Sequence, residues 1–272
     1  MIAIPTVLVL GAGSSEHVRY PLGSQLVSEL CASRGTPALD NLPNGWSRAD
    51  ANEFLTQLSR SGHYSIDAFL ETGPDQAALG KYLIARGLKT REVVDSLFPP
   101  FVDGSWYQYL LNVLLREGGT AKFEPDNLGI ITFNYDRSLE AYLHHALQSR
   151  LRVSGDEAAN VLSRLPIVHV HGILGRYPEV PYVTSSDPAF LVEISQQIQI
   201  IHEIKDVSDG FCNGMFERAN AMLGSAKRII FLGFGFHSDN IRRFKFFTPE
   251  SMADRHVRGT TYGTGPIALA SP

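Results

Sequence analysis

The sequence predicts a doubly wound, mainly parallel α/β sheet that carries a helical insertion. Three observations predict it. Short β-branched runs recur along the chain, most of them closed by glycine: "TVLVLGAG" from residue 6, "LGIITFNYD" from 128, "LPIVHVHG" from 165 and "KRIIFLGFG" from 227. Helical patterns separate these runs, as a parallel sheet with crossover helices requires. One long block, residues 51–119, is helical in pattern throughout and shows no strand signal.

The bulk properties fit a globular protein. The 272 residues are enough for one large domain or two small ones. Hydrophobic residues make up 44% and charged residues 19%, ordinary for a protein in water. A net charge of −4 gives no basic excess, so nucleic acid is not expected as a direct partner. No apolar run reaches the ~18 residues that a bilayer span requires. The opening "MIAIPTVLVL" lacks a basic leader and reads as the approach to a first strand. Two cysteines, Cys31 and Cys212, fit reduced thiols in a cytosolic protein and cannot build a cysteine-rich metal site.

In chain order, residues 6–10 form a doubly buried strand. Residues 22–33 form a helix with Leu22, Leu26, Val27 and Leu30 on one stripe. Residues 34–50 are turn-rich and hold no second strand. Within the helical block, a segment starts at Asp67, and "WYQYLLNVLLRE" (106–117) is the clearest amphipathic helix, ended by Gly118 and Gly119. Strands follow at 128–136 and 165–172, with a short one at 180–184, and a helix runs from the first of these to about Gln148. Helices are expected at about 188–205 and 209–225, then a last strong strand at 227–235 leading into a polar turn and a short helix. The expected units are residues 1–50 and 126–247 as the two parts of one sheet domain, 51–125 as an inserted helical subdomain, and 248–272 as a tail without assignment.

Four strand ends carry chemistry. Gly11-Ala12-Gly13 lies between a strand and a helix, where glycine lets the backbone approach a pyrophosphate and a helix N-terminus offers N–H groups. A structural tight turn is the competing account. An ordinary dehydrogenase is disfavoured, because Glu16 stands where a third glycine is usual, and Asp40 lies in a loop instead of ending a second strand. Asn134 and Asp136 end the "ITFNYD" strand at the edge where open α/β sheets bind ligands, though both residue types also cap helices. His169 and His171, two apart, are expected on one face of their strand. His169 suits a structural role and His171, beside Gly172, a general base. No third ligand is evident near them, so no metal is expected. Gly233, Gly235 and Ser238 repeat the strand–glycine turn, and Ser238-Asp239 equally reads as a helix start.

The motifs "GAGSS", "FNYD", "HVHG" and "GFGFHSDN", in that order, resemble the sirtuin-like NAD-binding family, and within it the bacterial branch associated with anti-phage defence. The likeness spans about residues 6–36 and 128–242. It departs from the deacetylating members: "YPLGSQL" replaces their I-P-D-F-R run, and the cysteines for their zinc module are missing. The resemblance implies a Rossmann-like fold with NAD as substrate. It implies Asn134 and His171 as the catalytic pair, with Gly11, Ala12, Gly13 and Ser14 along the pyrophosphate. Asp136, Gly233 and Ser238 would stand on the nicotinamide-ribose and adenosine sides. The implied reaction is NAD hydrolysis to nicotinamide and ADP-ribose. An NAD- or ADP-ribose-sensing module and an NAD-dependent deacylase or ADP-ribosyltransferase are the alternatives. It also implies restraint of the activity, by a homo-oligomer or by a separately encoded partner such as a HerA-type ring ATPase or a short Argonaute.

Overall fold

The structure, a computed structural model, describes residues 2–40, 42–99, 105–115, 123, 125–200, 210–236 and 254–260, with 210–213 described by their backbone alone. Its centre is a five-stranded, all-parallel sheet in the order β3-β2-β1-β4-β5. The strands are β1 (Thr6–Leu10), β2 (Leu128–Thr132), β3 (Ile167–His169), β4 (Arg228–Leu232) and β5 (His256–Gly259). This is the doubly wound order: the chain leaves β1 toward β2 on one side and returns to β4 on the other, opening a crevice at the carboxyl ends of β1 and β4.

Alternation along the strands sorts the core into two layers. Leu8, Leu10, Leu128 and Ile130 point to one face, and Val7, Val9, Ile131, Ile229 and Phe231 to the other. The first face is covered by α1 (Gly23–Ala32), α2 (Arg48–Arg60), α3 (Ile66–Thr72), α4 (Ala77–Lys89), α5 (Trp106–Leu114), α6 (Ser138–Leu151) and α7 (Gly155–Leu162), whose buried leucines and aromatics form one continuous cluster with it. A helix α8 (Pro188–Ser195) packs on α4 and joins the same cluster. The second face is covered by α9 (Gly210–Ser225), through Phe216, Ala219 and Leu223. The switch of faces follows from handedness. Right-handed crossovers that run toward β3 lie on one side of the sheet, and the return to β4 lies on the other.

Local chemistry explains the boundaries. Ser47 and Ser154 each accept from the N–H three residues on, while Asp50 and Glu157 reach back to the cap N–H; these capping boxes start α2 and α7. Asp187 accepts from the Ala189 N–H and starts α8 with Pro188 at its first position.

Three expectations differ. The short strand at 180–184 is a loop, because the carbonyls of Val180 and Pro181 accept from the Arg137 guanidinium and Pro178 and Pro181 have no N–H for a ladder. The helix from about 188 stops at Ser195, and residues 196–200 instead lie along the segment after β3: Gln199 N–H donates to the His171 carbonyl at 2.9 Å, and Gly172 bridges Ile198. A fifth strand, β5, stands in the stretch left unassigned. The turn and helix expected after Gly235 and the end of the 106–117 helix with its two glycines lie outside the described residues, as do positions 201–205.

Candidate active site

Register places the strand ends together. Leu10 pairs with Thr132 on one side and Leu232 on the other, and Thr132 pairs with His169. The residues that follow, Gly11, Phe133-Asn134, Val170-His171 and Gly233, therefore share the carboxyl edge of the sheet.

The two glycine turns interlock at this edge. Gly11 N–H donates to the Leu232 carbonyl and Gly13 N–H to the Gly233 carbonyl, each at 3.0 Å, and Ser14 N–H closes onto the Gly11 carbonyl at 2.9 Å. Three of the four backbone donors expected at the pyrophosphate are thus engaged within the protein. The glycines are required by contact between the turns: a Cβ on Gly11 would lie 2.6 Å from the Gly233 oxygen. From Gly11 the chain continues as a 3-10 helix over Ala12–Val18.

Asn134 is fastened to this turn. Its Nδ2 donates to the Gly11 carbonyl at 3.1 Å and to the hydroxyls of Ser14 and Ser15 at 3.2 Å each. The carbonyl partner fixes the amide's orientation, which leaves Oδ1 as its acceptor. Ser14, Ser15 and Asn134 are all buried. The helical block reaches the same place: Trp106 Nε1 donates to the Ser14 carbonyl at 2.8 Å, and the Tyr135 hydroxyl bonds Asp67 of α3.

Asp136 is also buried, but it is spent on the fold. Its Oδ1 accepts from the Ser138 N–H at 3.0 Å and from the Ser138 hydroxyl. The single hydroxyl hydrogen of Ser138 goes to Asp136, so Tyr107 donates to Ser138 Oγ at 2.6 Å. Burial raises the Asp136 carboxyl above the usual carboxylate range, against the two Ser138 bonds that lower it. Burial, with the Asp136 charge adding to it, holds Tyr107 firmly protonated.

The two histidines part company, contrary to the expectation of a shared face. β3 ends at His169, so the strict alternation stops there. His169 turns to α6, its Nδ1 at 3.0 Å from the Asn134 carbonyl and its Nε2 at 2.6 Å from Glu140 Oε1. His171 instead sits among aromatic rings, 5.3 Å from Phe133, 6.0 Å edge-on to Phe216 and 6.5 Å from Tyr135 between centroids. Phe133 in turn meets Phe234 at 5.0 Å, which links this aromatic group to the second glycine turn. Gly172 holds a positive φ of 79°, and a Cβ there would lie 1.9 Å from the Gln197 carbonyl oxygen, so the chain turns at His171 only with glycine next to it.

A buried charge cluster backs the site. All five N–H donors of Arg137 are placed: two on the Glu92 carboxylate at 2.8 Å each, and the others on the carbonyls of Gly175, Val180 and Pro181. Lys89 shares Glu92, and all three side chains are fully buried. The pairing ties the end of α4 to the loop after β3 and to the residue next to Asp136. Nothing in the sequence marks Glu92, Glu140 or Asp67 as members, since each partner lies 29–68 positions away.

Of the residues singled out from sequence, Gly11, Gly13, Ser14, Asn134 and Gly233 come together through the contacts above, with Ala12 inside the same turn. His171 stands at the same edge in its aromatic surround, and Asp136 faces α6. Ser238 lies outside the described residues. Among the described residues, no group of three or more His, Cys, Asp or Glu side chains is arranged to hold a metal ion, and no helix is long and apolar enough to cross a membrane.

Residues 128–260 match the family model described as a SIR2-like domain. The match runs from β2 to β5 and includes Asn134, Asp136, His171 and Gly233. No curated protein matches the chain.

Proposed function

From the match of residues 128–260 to a SIR2-like domain, we propose that the protein is an NAD glycohydrolase that cleaves NAD to nicotinamide and ADP-ribose. The observation that carries this reading is Asn134. Its amide is locked by Nδ2 onto the glycine turn and keeps an acceptor for a ribose hydroxyl or a water, at the same sheet edge as His171.

The chemistry suits these groups. The C1′–N bond of the nicotinamide ribose breaks, its electron pair leaves with neutral nicotinamide, and positive charge develops on the ribose. A water oxygen forms the new bond to C1′, and its proton passes to His171 as general base. Asn134 orients the attacking water or the ribose hydroxyls. The rings around His171 offer a flat apolar wall to the nicotinamide. By the sequence resemblance, Ala12, Ser14 and the interlocked turns would line the pyrophosphate and Gly233 and Ser238 the riboses, whereas Asp136, bonded to Ser138, would act on the ribose side only through the fold. The activity would deplete NAD in anti-phage defence and be gated by self-association or a separately encoded partner, as the sequence resemblance implies.

The test is incubation with NAD, alone and with candidate partners, with nicotinamide and ADP-ribose quantified. Release that disappears in Asn134→Ala and His171→Ala supports the reading. Binding of NAD without release under any condition would make the protein a sensor, and release only with an acyl-lysine peptide would make it a deacylase.

A further inference from the structure

Beside Asn134 lies a small cavity lined by Ser15, Tyr107, Asn134, Asp136, Glu140 and His169. The proposed reaction uses neither His169 nor Glu140, yet both are nearly enclosed, with side chains 10% and 13% exposed. Both nitrogens of the His169 ring face groups that only accept, the Asn134 carbonyl and the Glu140 carboxylate. One proton cannot serve both, so the arrangement calls for an imidazolium.

We infer that Glu140 and His169 are positioning residues: as a buried imidazolium–carboxylate pair they clamp the Asn134 backbone carbonyl and so hold the Asn134 side-chain amide on the glycine turn. The functional half of this inference rests on the reading of Asn134 as a residue of the NAD site. The backbone of Asn134 is gripped from one side by His169 and its side chain from the other by Gly11, Ser14 and Ser15, which leaves little freedom between them. When the ring loses its proton, the remaining N–H stays with the anionic Glu140, because a charge-assisted bond is the stronger of the two. The bond released is then the one to Asn134. The titratable groups that face His169 are Glu140 from α6, Asp136 from the loop before α6 and Tyr107 from α5. Burial alone would lower the pKa of His169, but the charge and hydrogen bond of Glu140, the Asn134 carbonyl and the Asp136 charge raise it above 6.5.

The experiment is a pH titration of the full chain by NMR, following the His169 ring and the Asn134 side-chain NH2, each assigned by its loss in His169→Gln and Asn134→Ala. In the wild type the Asn134 signals move with the His169 midpoint. In Glu140→Gln that midpoint falls by about one unit or more, and the Asn134 signals follow it. Asn134 signals that ignore His169, or a midpoint unchanged in Glu140→Gln, overturn the clamp. In parallel, Glu140→Gln lowers kcat for nicotinamide release roughly ten- to a hundredfold with KM within about twofold, and the alkaline limb of the kcat profile moves to lower pH. Wild-type kcat and an unmoved limb overturn the positioning role. If the wild type releases no nicotinamide while Asn134 still follows His169, NAD cleavage is the reading that fails and the clamp stands. If nicotinamide is released and Asn134 is indifferent to His169, the clamp alone fails.

Discussion

Gly13 and Gly233 lie back to back across the crevice between β1 and β4. Besides the hydrogen bond between them, a Cβ on Gly233 would come within 2.2 Å of the Gly13 carbonyl carbon and 2.0 Å of the Ser14 nitrogen. Gly233 also has a φ of +57°. The glycines of two turns 220 residues apart are thus explained by each other, before any ligand is considered.

Gly233→Ala is therefore expected to destabilise the protein by about 3 kcal/mol or more, since steric overlap with backbone adds to a left-handed conformation. Gly235→Ala is the control. Among the described residues a Cβ there meets nothing within 4 Å, and denaturant unfolding should find it within about 0.5 kcal/mol of wild type. Equal effects at the two positions would contradict the interlock.

The buried cluster of Lys89, Glu92 and Arg137 holds two cations against one anion. Burial lowers the Lys89 pKa and the charge of Arg137 adds to that, against the bond and charge of Glu92. Removing Glu92 leaves two unpaired buried cations, so Glu92→Gln should cost about 3–5 kcal/mol. Lys89→Met leaves the bidentate Glu92–Arg137 pair intact and should change stability by less than about 1 kcal/mol. Urea unfolding of the two variants decides the order.

The strands were legible where they are buried and end in glycine, as in "TVLVLG" and "IIFLG", because apolar runs of that length bounded by turns have few alternatives. β5 was not, since "HVRG" is short and mostly exposed on the sheet edge, and periodicity has nothing to register. Helix α7 is marked in the sequence by Ser154 and Glu157 at a capping-box spacing, although its eight residues are too short for periodicity to single out. At the site, Asn134 and His171 could be singled out because their residue types sit at strand ends. That Asn134 faces the glycine turn, and that His169 and His171 diverge, depends on where β3 stops. Three residues of ladder are too few for spacing alone to fix this.

The raised pKa of His169 has a consequence for stability. A histidine whose folded pKa lies above its unfolded value contributes stability that is fully present below about 6.5 and is lost as pH rises through the folded value. The gap in melting temperature between wild type and His169→Gln should thus be widest near pH 6, at roughly a few degrees, and narrow on the alkaline side. A gap that widens as pH rises would show the pair to be uncharged in the folded protein.

At Asn134 the distinction between donor and acceptor can be tested within one shape. Asn134→Asp puts a carboxylate oxygen where Nδ2 donates, directly against the Gly11 carbonyl, whereas Asn134→Ala only removes the bonds. The aspartate variant should be less stable than the alanine variant by about 1–3 kcal/mol, despite its closer shape. Urea unfolding of both variants gives the order. Greater stability in the aspartate variant would mean that the amide faces the turn with its oxygen.

His171 separates packing from chemistry. Its neighbours include the rings of Phe133, Tyr135 and Phe216, against which a phenyl ring packs as the imidazole does. His171→Phe should therefore keep the fold, with a melting temperature within about 5 °C of wild type. The phenyl ring cannot accept a proton, so nicotinamide release should fall by about 10²–10⁴-fold if the imidazole is the general base. NAD affinity, measured by calorimetry, should change far less than turnover, because the aromatic wall is retained. Turnover that persists in His171→Phe would leave His171 a packing residue and move the base elsewhere on the edge.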